Sequence, residues 1–177
     1  ESDFTFSGDA TVKGTDAGSY DMELTAENFT NISNNFTNVE FVIVDGTLEI
    51  SKRTVTLTSA TDTKVYDGTA LTNANVAVGG DGFVAGEGAI YNVTGTQTEV
   101  GSSANAFTYA LNDGTKADNY TISTKEGTLT VTELTEKVTV TITENSGSEK
   151  YDGAEKTVTG YTVSIDDTLY TEADSTG

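Results

Sequence analysis

Apolar and polar positions alternate along much of this chain. Thr54-Val55-Thr56-Leu57-Thr58, Thr128-Leu129-Thr130-Val131-Thr132 and Thr139-Val140-Thr141-Ile142-Thr143 interleave threonine with Val, Leu or Ile. That two-residue period predicts half-buried strands. Tyr20-Asp21-Met22-Glu23-Leu24 and Phe107-Thr108-Tyr109-Ala110-Leu111 repeat it with larger inward side chains. Threonine on the outer face favours extended backbone and keeps that face wet. The longest apolar run, Phe41-Val42-Ile43-Val44, suits a buried strand and falls far short of a membrane span. Asp45-Gly46, Asp67-Gly68, Asp113-Gly114, Glu126-Gly127 and Asp152-Gly153 supply turns between strands.

Tyr20 to Phe29 is the best helix candidate, yet its apolar residues Tyr20, Met22, Leu24 and Ala26 keep a strand period. The pattern therefore predicts an all-β chain of tandem immunoglobulin-like β-sandwich repeats rather than a parallel α/β sheet. A single helical turn near Asn28 to Asn35 would instead favour β-grasp-like repeats with one short helix. The expected core residues are Tyr20, Leu57, Tyr66, Phe107, Tyr109, Leu129, Ile142 and Tyr151.

The pattern recurs at long range. Lys64-Val65-Tyr66-Asp67-Gly68-Thr69 returns as Glu149-Lys150-Tyr151-Asp152-Gly153-Ala154, so Tyr66 and Tyr151 set a period of 85 residues. Thr54 to Thr58 returns as Thr139 to Thr143 at the same spacing, and Gly46-Thr47-Leu48-Glu49-Ile50 returns as Gly127-Thr128-Leu129-Thr130-Val131. The predicted organisation is the C-terminal half of one repeat (1–51), a complete repeat (52–137), and the N-terminal half of a third (138–177). Residues 139–171 and 1–53 together exceed the period by one, and Thr171 to Gly177 resembles the run from Glu1 to Gly8. Repetition of this kind argues for an array or scaffold. The joints Ser51-Lys52-Arg53 and Thr132 to Lys137 contain neither proline nor a glycine–serine run, which predicts stacked and fairly stiff neighbours.

Composition narrows the function. A formal charge of −19 makes nucleic acid or an anionic membrane an unsuitable partner. With neither Cys nor His, thiol nucleophiles, imidazole bases and the usual zinc ligands are missing. The expectation is a non-enzymatic chain that needs no cofactor, with calcium the one candidate ion. No apolar leader opens the sequence, so any export signal or wall anchor is expected outside it.

Individual motifs each have a plain and a sharper reading. Asp16-Ala17-Gly18-Ser19-Tyr20 has the form of a tyrosine corner, in which the hydroxyl reaches back to nearby backbone. Asp67 and Asp152 are turn residues, or calcium ligands with Asp62 or Asp81 beside Asp67. Lys64 and Lys150 are edge-strand lysines, or partners of an Asn in an isopeptide bond. Asp166, Asp167, Glu172 and Asp174 make up the one carboxylate group suggestive of a glycosidase, but adjacent strand residues point to opposite faces, which favours a solvated turn. Tyr91, Tyr161 and Tyr170 are the aromatics nearest to a sugar-stacking set, without any tryptophan to help.

The Lys64 to Thr69 motif and its copy, with Glu99-Val100-Gly101, Lys116-Ala117-Asp118-Asn119-Tyr120-Thr121-Ile122 and Gly127 to Val131, resemble YDG-type repeats and the related MBG-type domains of large bacterial surface proteins and adhesins. The resemblance implies an extracellular, all-β module of adhesins or stalks, located at the bacterial cell surface. It brings no catalytic residues with it. Its mucin-related name raises host glycans or mucin as a ligand.

Three explanations fit the cut repeats. The sequence is a window on a longer array, or its two ends pack on one another, or residues 139–177 of one molecule complete residues 1–53 of the next. The last predicts other copies of the chain as partners, joined head to tail into a fibre by strand complementation. The expected function is a surface stalk or fibre, with a carbohydrate- or mucin-binding module as the alternative.

Overall fold

A computed structural model describes residues 2–172; the terminal match of the first and last residues, and Asp174, fall partly or wholly outside them. The chain is nearly all-β. Its strands are β1 (Phe4–Phe6), β2 (Gly18–Asp21), β3 (Phe29–Asn31), β4 (Thr47–Ile50), β5 (Arg53–Ser59), β6 (Asp62–Val65), β7 (Val76–Gly80), β8 (Ala89–Val93), β9 (Gly101–Asn105), β10 (Phe107–Leu111), β11 (Tyr120–Lys125), β12 (Gly127–Thr132), β13 (Val140–Glu144) and β14 (Tyr161–Ile165). The helical content among the described residues is two three-residue 3-10 turns, Ala26–Asn28 and Ala117–Asn119.

The chain divides into two compact units that do not follow the repeat boundaries. One comprises Glu1–Ala60, Ala74–Thr94 and Asn105–Gly127; the other comprises Thr61–Asn73, Gly95–Ala104 and Thr128–Gly177. Each unit thus combines a stretch of the 52–137 repeat with residues from one flanking partial repeat.

In the first unit, β5 is the central strand of a three-stranded sheet. It runs antiparallel to β7 and parallel to β11. Its alternation works as written, since Val55 and Leu57 are fully buried while the threonines between them face outward. They pack with Tyr120, and Val76, Phe83, Tyr91, Phe107 and Ile122 close around them. Hairpin β8–β10, with Tyr91 opposite Tyr109, and pairs β1–β3 and β2–β4 complete the unit. Phe4, Phe6, Phe29 and Phe41 form a separate aromatic cluster, with Phe29 and Phe41 stacked at 5.6 Å. One buried hydroxyl fixes how β5 ends: Ser59 Oγ donates to the Asn105 carbonyl at 2.6 Å and accepts from the Gly127 amide at 2.9 Å. Glycine is required at 127, because an added Cβ would lie 2.3 Å from the Ala60 carbonyl oxygen.

In the second unit, β12 is central, flanked by β6 in parallel and by β9. Leu71, Leu129 and Val131 form its core, with Tyr66 packed against them. β13 and β14 make a separate antiparallel pair.

Several expectations need correction. Tyr109, Ile142 and Tyr151 were assigned to the core, but they are 38%, 61% and 96% exposed. Tyr109 falls on the outward side of its hairpin. The β13–β14 pair has no third strand among the described residues to cover Ile142, and Tyr151 sits in a loop. Tyr20 is half-buried. Phe41 to Val44 is neither paired as a strand nor fully buried: Phe41 and Ile43 are half-buried, while Val42 and Val44 are 77% and 89% exposed. The parallel pairs β5–β11 and β6–β12 were also unforeseen, because alternation fixes a strand's faces and not the direction of its neighbour.

Candidate functional site: the joints between repeats

The most highly connected polar site lies where the 1–51 segment meets the complete repeat inside the first unit. Asp16 is its hub. Its backbone carbonyl accepts the Tyr20 hydroxyl at 2.9 Å, which is the tyrosine-corner bond suggested by the sequence. Its carboxylate accepts from Lys116 Nζ at 2.7 Å and from Asn119 Nδ2 at 2.9 Å. Asn119 Oδ1 in turn accepts from the Ala17 amide at 2.7 Å. The Asn119 and Lys116 bonds hold the Asp16 carboxyl below its ordinary range, and Asp16 holds the Lys116 ammonium above its own. The turn Ala117–Asn119 presents Asn119 to this joint, and Tyr120 follows it directly into the core. A cleft of ≈ 320 Å³ opens beside the hub, lined in part by Ala17, Arg53, Val84 and Glu87. Glu87 accepts the Tyr120 hydroxyl, and burial followed by that bond pushes the hydroxyl's pKa up.

The second unit has a cleft of the same size built from equivalent positions. It is lined by Tyr66, Val100, Leu134, Val138, Leu169 and Tyr170, with acidic residues Glu133 and Asp167. Val138 and Leu169 are the 85-residue copies of Arg53 and Val84. Apolar side chains therefore stand where the first joint carries a guanidinium and a smaller valine.

The YDG turns are closed by their own aspartates. Asp67 Oδ1 accepts from the Thr69 amide at 2.9 Å and from Lys64 Nζ at 2.7 Å, and Lys64 also reaches the Thr69 hydroxyl. Lys64, then the Thr69 groups, lower the Asp67 carboxyl to about 2. Asp152 repeats the turn bond to the Ala154 amide at 3.0 Å and takes Lys156 as its cation at 2.6 Å. Asp81 and Asp166 form a second repeated device. Asp81 accepts the Thr54 amide at the start of β5, and Asp166 accepts the Thr139 amide just before β13. Asp62 accepts from Asn73, and Asp81 lies in the other unit from Asp62 and Asp67. No cluster of three or more metal-ligating side chains occurs among the described residues.

The remaining candidates are dispersed. Tyr91 is half-buried against the first core, and burial raises its hydroxyl pKa. Tyr161 and Tyr170 are exposed in the second unit, where the Tyr161 hydroxyl donates to Glu172 at 3.2 Å. Lys64 is committed to its turn, and Lys150 is exposed. The Asp16–Lys116–Asn119 hub went unread in the sequence. Both of its motifs were visible, but joining them requires partners about a hundred residues apart to meet in space.

Comparison with known families follows this geometry. The MBG domain matches residues 1–52, the segment that ends at the first joint and carries Asp16 and Tyr20. MBG domains occur in cell-surface proteins. No protein of curated function and no solved structure matches the chain. No helix among the described residues is long and apolar enough to cross a membrane.

Proposed function

We propose that this chain is a non-enzymatic extracellular repeat module of a bacterial surface stalk or head-to-tail fibre, acting as a spacer that holds an adhesive surface at a distance. The observation that carries this reading is the joint. Each compact unit is centred on a junction between repeats, and the first junction is locked by a four-bond polar hub around Asp16 and Asn119. A module whose tightest packing lies at its junctions is suited to transmit position and load along an array. The MBG match at 1–52 supports the surface setting. The parallel β5–β11 pair and the 3-10 turns speak for the β-grasp-like form of the repeat over the immunoglobulin-like sandwich.

A spacer predicts a geometric readout. Removing one 85-residue period from the surface protein should draw its labelled tip toward the cell by a fixed step in electron micrographs, leaving ligand binding unchanged. Loss of saturable binding to mucin or a glycan array upon that deletion would instead establish the carbohydrate-binding alternative. Exposed Tyr161 and Tyr170 are the side chains that such a module would use.

A further inference from the structure

Strands β13 and β14 copy β5 and β7 position for position. Val55 opposite Gly80 returns as Val140 opposite Ile165, and Leu57 opposite Val78 returns as Ile142 opposite Val163. The other edge differs. β5 carries β11 there in parallel, with Ile122 opposite Val55 and Thr124 opposite Leu57. Among the described residues no strand occupies that edge of β13. Burial records the difference, since Val140 and Ile142 are 40% and 61% exposed where Val55 and Leu57 are 1% and 0%.

The first unit contains the converse feature. Aligning Gly46-Thr47-Leu48 with Gly127-Thr128-Leu129 makes residues 39–44 the counterpart of β11. Val39-Glu40-Phe41-Val42-Ile43-Val44 is a β-branched and aromatic run, yet it is paired with no strand. It is thus a strand sequence without a sheet, while β13 is a sheet edge without its strand.

We propose that residues 39–44 of one copy add to the open edge of β13 in a second copy, in parallel, in the register that β11 takes on β5. Phe41 then lies opposite Val140, Val42 opposite Thr141, and Ile43 opposite Ile142. This deepens the fibre reading and rests on it. Alternation places Phe41 and Ile43 on one face, where they meet the apolar face of β13 and extend the aromatic cluster of Phe4 and Phe29 toward it. Backbone bonds supply the affinity of such strand addition and the alternate side chains its register. Donor and acceptor are different surfaces, so the contact propagates into an open fibre.

The template names its own cross-link. Thr56 Oγ1 and Ser123 Oγ are 3.1 Å apart, and their counterparts are Thr141 and Val42. The chain contains no cysteine, and both positions are exposed, so Val42→Cys with Thr141→Cys leaves the fold intact. Mild oxidation should give a ladder of disulfide-linked oligomers on a non-reducing gel. The offset pair Val42→Cys with Thr143→Cys should give about tenfold less, because disulfide geometry tolerates little separation. Adding Ile142→Asp to the in-register pair should abolish the ladder, while circular dichroism stays unchanged. Equal cross-linking of both pairs, or a disulfide closed within one chain, overturns the proposal. Fibres of the cysteine-free chain in the microscope with no in-register ladder overturn the register and leave the fibre standing. A chain monomeric at every concentration overturns both, and the spacer is then judged by its deletion test.

Discussion

Aspartate closes the turns of this chain, and it does so at repeated positions. Asp67 and Asp152 each accept the amide two residues on, and Asp81 and Asp166 each accept an amide at or just before the start of a strand. The Asp67 carboxyl is lowered from 3.8 to about 2 by Lys64 and Thr69, so folding favours its ionised form. Its stabilisation is complete above 3.8 and is lost as pH falls through about 2. Thermal melts of the wild type and Asp67→Asn should therefore differ at pH 6 and converge as the pH approaches 2. Ser59 makes a different kind of contribution because it is buried. Ser59→Ala leaves the Gly127 amide without its acceptor, and denaturant titration should show a loss of about 1–3 kcal/mol.

Among the elements, β5 and β13 carry nearly the same sequence in different surroundings. Leu57→Ala opens a cavity in a closed core and should cost about 2–5 kcal/mol by urea unfolding. Ile142→Ala, at the copied position, should change the stability of the dilute chain by less than about 0.5 kcal/mol, because the side chain already meets water. A comparable loss at both positions would mean that β13 is covered in solution. This pair also shows what could be read locally. Alternation identified both strands and their apolar faces from the residues alone. Assigning Ile142 and Tyr151 to a core went astray because burial depends on which strand lies alongside, and that partner comes from far away in the chain. Residues 39–44 went astray for the same reason: the sequence has every mark of a strand, and no neighbour pairs with it. The Asp16 hub was legible only as two unconnected motifs, since nothing in Asp16 to Tyr20 points to Lys116 or Asn119.

At the scale of the whole molecule, repetition and charge pull in opposite directions. Repeated strand edges favour association, whereas a formal charge of −19 makes copies repel one another. Salt at about 0.15 M screens charges beyond about 8 Å, so fibre growth should speed up as ionic strength rises from low values. Light scattering across a sodium chloride series measures this, and inhibition by salt would point to attractive charge pairs at the contact instead. Holding the joint is the work of Asp16. Asp16→Ala should raise hydrogen exchange at the Ala17 amide and through the turn Ala117–Asn119, while leaving the β5–β7 amides protected.

The sequence by itself determined the strand-rich character, the 85-residue period, the Asp-Gly turns and the two buried leucines, Leu57 and Leu129. All of these follow from local periodicity or from backbone preferences within a few residues. Only the tertiary structure decided that β11 runs parallel to β5, that Asp16 bonds Asn119, and that the compact units straddle the joints. Those outcomes depend on contacts between distant segments, where many pairings satisfy the same alternation and packing together with hydrogen-bond completion selects one.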